Sequence, residues 1–202
     1  MATTTTHYGF DIPQSTDLVK DGATAIATLG QDIDTAMNTA LGTKKAGRVL
    51  LNTTTMSAVA TQTINSVFSA TYDTYEILIS NVTSSAANNC YFQFTSSGTP
   101  DTNTVYHWLR LAIANASVSG AAVASQAQWI LGKIDTTKSQ ITVTLSNPFT
   151  AGTKGYLGIG GGRTNGALFT GDFSNSTSFD GFKLFLDSGT VTGTVSVFGV
   201  NK

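Results

Sequence analysis

A repeat of apolar and small side chains ends at Ala40, and the segments after it have the two-residue periodicity of β-strands. The repeat alternates spacings of three and four, as in the heptads of a coiled coil. Its positions are Val19, Gly22, Ile26, Leu29, Ile33, Ala36 and Ala40. The oxygens of Ser15, Thr16 and Asp17 precede it and are typical of a helix start. The sequence therefore predicts one helix over 17–41, followed by a β-rich part of different character.

The narrow apolar stripe predicts a helix that associates with copies of itself. We expect residues 17–48 to form a coiled-coil stalk and a hinge, and the helix to be marginal alone because several stripe positions are small. The residues predicted to carry the association are Val19, Ile26, Leu29, Ile33, Ala36 and Ala40. The alternative is a single amphipathic helix that packs against its own β domain.

The segments from Val49 onward are short and rich in β-branched and aromatic residues, and Gly, Asn, Ser, Pro and Asp separate them. This spacing is typical of antiparallel sheets rather than βαβ units. We predict a mainly β fold whose head, residues 49–202, is a jelly-roll-like β-sandwich. Long loops are expected at 84–89, 114–126 and 160–171.

The chain carries few charges for its length. Charged residues make up 11% and the net charge is −1, against about 25% charged residues in typical soluble domains. No basic field exists to attract nucleic acid. No apolar run approaches the roughly 20 residues of a membrane span, and no apolar leader opens the chain. We therefore expect no nucleic-acid partner, no membrane insertion and synthesis in a cytoplasm.

No motif in the sequence predicts catalysis, a cofactor or a metal site. The two histidines, His7 and His107, are far apart and outside any metal-binding motif. The glycine-rich run 158–163 lacks phosphate-loop spacing and is interpreted as a β–β turn. Cys90 is the one cysteine, which excludes an intrachain disulfide. We expect it to be a buried hydrophobe and the protein not to be an enzyme.

The densest aromatic and polar run is Tyr106–Arg110. In a strand, Tyr106, Trp108 and Arg110 share one face and Leu109 and Leu111 share the other. We expect the leucines to point inward. Aromatic faces and an arginine suit a host receptor, which makes Tyr106, Trp108 and Arg110 candidate receptor-binding residues. The alternative is that their face belongs to the core or to a subunit interface.

The N-terminal run Tyr8-Gly9-Phe10-Asp11-Ile12-Pro13, followed by Ser-Thr-Asp-Leu-Val-Lys-Asp-Gly-Ala, resembles the N-terminal module of bacteriophage tail-fibre and related virion fibre proteins. The C-terminal runs 179–185 and 193–200 are similar to the last strands of their β-sandwich heads. The resemblance implies a homotrimer located in the virion. It implies that residues 1–16 anchor to a baseplate, tail or capsid protein through Tyr8, Phe10, Ile12 and Pro13.

The resemblance also implies that the head faces outward and binds a glycan or protein of the host surface. We therefore expect a structural virion fibre that attaches the particle to its host. Two alternatives stay open. One is a capsid head fibre or decoration protein that binds no receptor, and the other is a polysaccharide depolymerase.

Overall fold

The computed structural model describes residues 3–5, 9–12, 19–42, 47–114, 117–163 and 165–201. The chain divides into two compact units, Met1–Gly47 and Arg48–Lys202. In the described ranges, no helix is both long enough and apolar enough to cross a bilayer. The predicted helix start at 15–17 and most of the predicted hinge lie outside these ranges.

The first unit begins with a small hairpin. Strand β1 (Thr3–Thr4) pairs antiparallel with β2 (Asp11–Ile12). The amide of Phe10 donates to Thr5 Oγ1 at 2.9 Å, and Gly9 has a φ of +66° near this contact. Of the predicted anchoring residues, Phe10 is half-buried and Ile12 lies in β2. Tyr8 and Pro13 lie outside the described residues.

Helix α1 (Val19–Gly42) has 24 residues, which corresponds to about 36 Å at ~1.5 Å per residue. Within the described range this agrees with the helix predicted at 17–41. Val19, Ile26 and Ile33 are 94%, 65% and 40% exposed. Ala40 is also exposed, whereas Leu29 and Ala36 are half-buried. Most of the predicted stripe is therefore accessible to a partner.

The second unit consists of short strands, as the sequence predicts. They are β3 (Arg48–Val59), β4 (Thr61–Ile64), β5 (Thr74–Ser84), β6 (Asn88–Ser96), β7 (Thr99–Pro100), β8 (Tyr106–Ala114), β9 (Ser117–Gln126), β10 (Trp129–Ile134), β11 (Ser139–Ser146), β12 (Lys154–Gly161), β13 (Asn165–Phe173), β14 (Gly181–Leu186) and β15 (Val191–Val200).

These strands form two antiparallel sheets. The larger has eight strands in the order β3-β15-β5-β11-β12-β13-β8-β9. The smaller has five, in the order β10-β6-β14-β4 with β7 paired to β6. Buried side chains of both sheets form one hydrophobic core. The mainly β fold with antiparallel sheets and one helix is thus confirmed, whereas the jelly-roll topology and the coiled-coil stalk stay predictions.

The three predicted long loops are wrong. The range 114–126 contains β9 and the range 160–171 contains most of β13, whereas only a short turn at 85–87 joins β5 to β6. Strand β9 is an edge strand whose small and polar residues show no clear alternation. Glycines interrupt the alternating pattern of β13, so the sequence does not indicate a strand there. The structure requires a glycine at 171, because a Cβ on Gly171 would lie 2.0 Å from the His107 carbonyl oxygen.

Trp129 is the aromatic side chain that joins the two sheets most closely. It lies on β10 in the smaller sheet and is 1% exposed. Its ring stacks on Tyr156 of the larger sheet, with centroids 4.2 Å apart. Its indole nitrogen donates to the Asp172 carbonyl oxygen at 3.1 Å. Aromatic burial and one satisfied donor therefore hold the sheets face to face.

Truncation of this residue should destabilise the head. We expect Trp129→Ala to lower the free energy of unfolding by about 3–5 kcal/mol, because it leaves a large cavity in the core. Thr55→Ala, at an exposed position of β3, is the control and should change it by less than about 0.5 kcal/mol. Urea denaturation of residues 48–202 measures both changes. Equal effects of the two substitutions would contradict the role given to Trp129.

Candidate functional site

The predicted receptor-binding residues lie on β8, but they face the core rather than the outside. Tyr106 is fully buried, and its hydroxyl accepts from the Phe94 amide at 3.0 Å and donates to the Asp101 carbonyl at 3.1 Å. Trp108 is half-buried and packs against the core. Tyr106 is therefore a core residue, in agreement with the alternative interpretation of its face.

The predicted direction of the β8 side chains is wrong. Leu109 and Leu111 point outward and are 55% and 46% exposed. The period of two is correct, but it does not say which face is buried. Arg110 suggested that its face was outward, because arginine is rarely buried. The structure places Arg110 inward, at a position where the larger sheet borders a cleft.

This cleft has a volume of about 340 Å³ and is lined by both polar and apolar residues. One side is formed by residues of β8, β9, β12 and β13, and the other by Ala87, the first residues of β6 and Lys133 of β10. The polar side chains that line it belong to Asn88, Asn89, Arg110, Ser119, Lys133, Asn165 and Asp187. Its volume falls in the range of about 300–1,000 Å³ that suits a small ligand.

The wall of the cleft is fixed by hydrogen bonds between the start of β6 and the turn that follows β14. Asn89 Nδ2 donates to Asp187 Oδ2 at 3.0 Å, and the Asn89 amide donates to the same oxygen at 3.3 Å. Asn88 Nδ2 donates to the Ser188 carbonyl oxygen at 2.8 Å. These bonds hold the carboxylate of Asp187 in place at the edge of the cleft.

Arg110 supplies an unused hydrogen-bond donor. Its Nε is shut off from solvent, and no acceptor among the described residues lies within hydrogen-bond distance. A buried donor without a partner costs about 1–3 kcal/mol, and more when it is charged. The buried Nε is itself out of reach of a ligand, but the side chains of Arg110 and Lys133 line the cleft as cations beside the acceptor Asp187, a set that suits an oxygen-bearing ligand.

The structure also shows where the glycine-rich run, the cysteine and His107 lie. The glycine-rich run 158–163, predicted as a β–β turn, is strand over most of its length: residues 158–161 belong to β12, and only 162 and 163 lie in the connection to β13. Cys90 is buried, as predicted, and burial raises the pKa of its thiol to about 12. His107 accepts from the Ser125 amide at 3.3 Å through Nδ1. The described residues hold no group of three or more His, Cys, Asp or Glu side chains placed for a metal.

No protein-family model matches this chain, and no curated protein matches it either. A similar solved structure is the CBM2 module of the evolved Dit of Lactobacillus casei BL23 phage J-1. It is 12% identical, spans 78% of this chain and 91% of that chain, and superposes with a TM-score of 0.25. Similarity at this level leaves the function to be argued from this chain's own residues.

The ionisation of Tyr91 reports on Asp187 at the edge of the cleft. Burial, followed by the hydrogen bond and negative charge of Asp187, raises the pKa of the Tyr91 hydroxyl above its ordinary value. Asp187→Asn should therefore lower this pKa, because it removes the charge that opposes ionisation. The NMR titration of the Tyr91 ring, assigned with Tyr91→Phe, measures it. The control Asp135→Asn should leave the titration unchanged. Equal Tyr91 pKa values in the unmodified protein, Asp187→Asn and Asp135→Asn would contradict the contact between Tyr91 and Asp187.

Proposed function

We propose that this protein is a homotrimeric virion fibre of a bacteriophage that attaches the particle to its host. Its N-terminal segment docks on another virion protein through Tyr8, Phe10, Ile12 and Pro13, α1 forms the stalk, and the head binds a glycan or protein of the host surface. The observation that carries the proposal is the exposed heptad stripe of α1. The N-terminal sequence motif and the paucity of charge support it.

The stripe needs a partner on energetic grounds. Isolated helices of this length are marginal in water, and two interior glycines weaken α1 further. Each Val, Ile or Leu side chain that moves from water into a helix–helix seam contributes about 1.5–3 kcal/mol. Val19, Ile26 and Ile33 keep large exposed areas within one chain. Association of identical helices buries all three per chain.

A charge in the seam should separate the chains. Ile26→Asp introduces a carboxylate at an a-type position, and we expect the full-length protein to fall to the mass of one chain in sedimentation velocity. Gln31→Asp adds the same charge at an exposed position outside the stripe and should keep the oligomer. An Ile26→Asp variant that sediments like the unmodified protein would contradict the stalk.

The polar cleft around Arg110 is the surface of the head that best suits a host ligand. Its donors and the Asp187 acceptor match the hydroxyl, carboxylate and phosphate oxygens of envelope polysaccharides. Three heads on one stalk, and many fibres on one particle, give avidity from weak individual sites. The proposed ligand site therefore keeps Arg110 of the sequence prediction and replaces Tyr106 and Trp108 with the cleft residues.

Adhesion should depend on the guanidinium. We expect Arg110→Ala to weaken binding of the full-length protein to an array of bacterial surface polysaccharides at least about tenfold, because a hydrogen bond to a charged group is worth about 1.5–3 kcal/mol. Lys138→Ala, on the turn before β11, is the control and should bind normally.

The same array separates the proposal from its alternatives. A decoration protein without receptor binding predicts no binding to any polysaccharide and a copy number on the particle close to that of the capsid subunits. A depolymerase predicts new reducing ends in the bound polysaccharide. Retained binding by an oligomeric Arg110→Ala protein would place the ligand outside the cleft.

A further inference from the structure

The outer face of the larger sheet carries an apolar patch over β8, β12 and β13. Its large side chains are between 46% and 59% exposed. The patch is defined by Leu109, Leu111, Ile113, Leu157, Ile159 and Leu168. Strand pairing places them in register, with Ile159 opposite Leu168 and Leu168 opposite Leu111. They therefore form one continuous surface rather than scattered apolar residues.

The other half of the same outer face mixes polar side chains with apolar ones such as Leu50. On β3, β15 and β5, the outward positions include Thr53 and Ser196, whose hydroxyls lie 3.5 Å apart. They also include Arg48 and Glu76, which form an ion pair. One sheet thus exposes a mixed half and a more uniformly apolar half to the same side. Since exposed apolar patches of this kind mark interaction surfaces, the apolar half requires a partner.

The centre of the patch lacks the charged groups that an anionic ligand needs. The polar outward positions Thr142, Thr144 and Thr170 are uncharged, and the charged side chains of Arg163 and Asp172 lie only at its ends. Hydrophobic interface cores are depleted of charge and are typical of contacts between subunits of permanent assemblies. The chemistry therefore fits a protein surface of similar neutral and apolar character.

The size of the patch decides how tightly such a partner binds. Five strands from β11 to β9, about 4.8 Å apart, and seven residues along β8 give a face of roughly 20 by 20 Å. This area falls short of the ~800 Å² per partner that a standard stable interface buries. The patch alone is therefore suited to weak association, which becomes strong when copies are tethered at millimolar effective concentration.

We propose that this patch is the surface through which the heads of one fibre contact each other, so that its occupant is a second copy of this chain. The inference rests on the proposed function, because α1 supplies the tether that brings identical heads together. Isolated heads then associate weakly, and heads on an intact stalk form a closed cluster. Arg110 stays outside this contact, because it faces the opposite side of β8 from Leu109 and Leu111. Of the patch residues, Ile113 also lines the cleft.

Thiol labelling of the full-length protein tests this contact. Cys90 is buried and 3% exposed, so we expect the maleimide to react with an introduced surface cysteine and not with Cys90. Leu111→Cys and Leu157→Cys probe the patch, and Leu50→Cys, 56% exposed on β3, probes the other half of the outer face. We expect a maleimide to label both patch cysteines at least about tenfold more slowly in the full chain than in residues 48–202. Leu50→Cys should be labelled at the same rate in both.

Two further results separate this inference from the proposed stalk. Light scattering of the same samples reports whether the full chain is oligomeric. An oligomer with freely labelled patch cysteines would overturn the head contact and leave the stalk intact, whereas a monomer would overturn both. Protection that persists when Ile26→Asp separates the chains would also overturn the inference, because the chain's own N-terminal unit would then cover the patch.

Discussion

The aromatic contact between the two sheets is the interaction on which the rest of the head depends. Trp129 stacks on Tyr156 across the core, and the Tyr156 hydroxyl donates to the Ile130 carbonyl oxygen at 3.1 Å. Phe94 lies edge-on to the same indole ring at 5.1 Å. Because these rings occupy the space between the sheets, the inward direction of every paired strand follows from them.

Two functional surfaces follow from that direction. The inward face of β8 places Arg110 in the polar cleft, where its Nε has no acceptor among the described residues. The outward face of the same strand contributes Leu109 and Leu111 to the apolar patch. In the proposed fibre, one strand would serve ligand binding on one side and head contact on the other, so that the host site stays accessible when the heads associate.

Periodicity and composition predict much of this molecule, and they fail where both faces of an element are alike. The helix, the antiparallel sheets and the burial of Cys90 follow from local pattern. The sequence does not predict strand β9, because β9 is an edge strand of small residues. It does not predict β13, because Gly166 and Gly171 interrupt the alternation of that strand. The sequence does not predict which face of β8 is buried, because the leucines on one face and the aromatic residues on the other are both apolar. Only the opposing sheet determines which face is buried.

We propose that α1 joins identical chains whose heads associate only weakly by themselves. Light scattering of the full-length protein and of residues 48–202 over a range of concentrations tests this proposal. We expect three chains in the full-length protein at all concentrations and a head fragment that is monomeric when dilute. A full-length protein with the mass of one chain would contradict it.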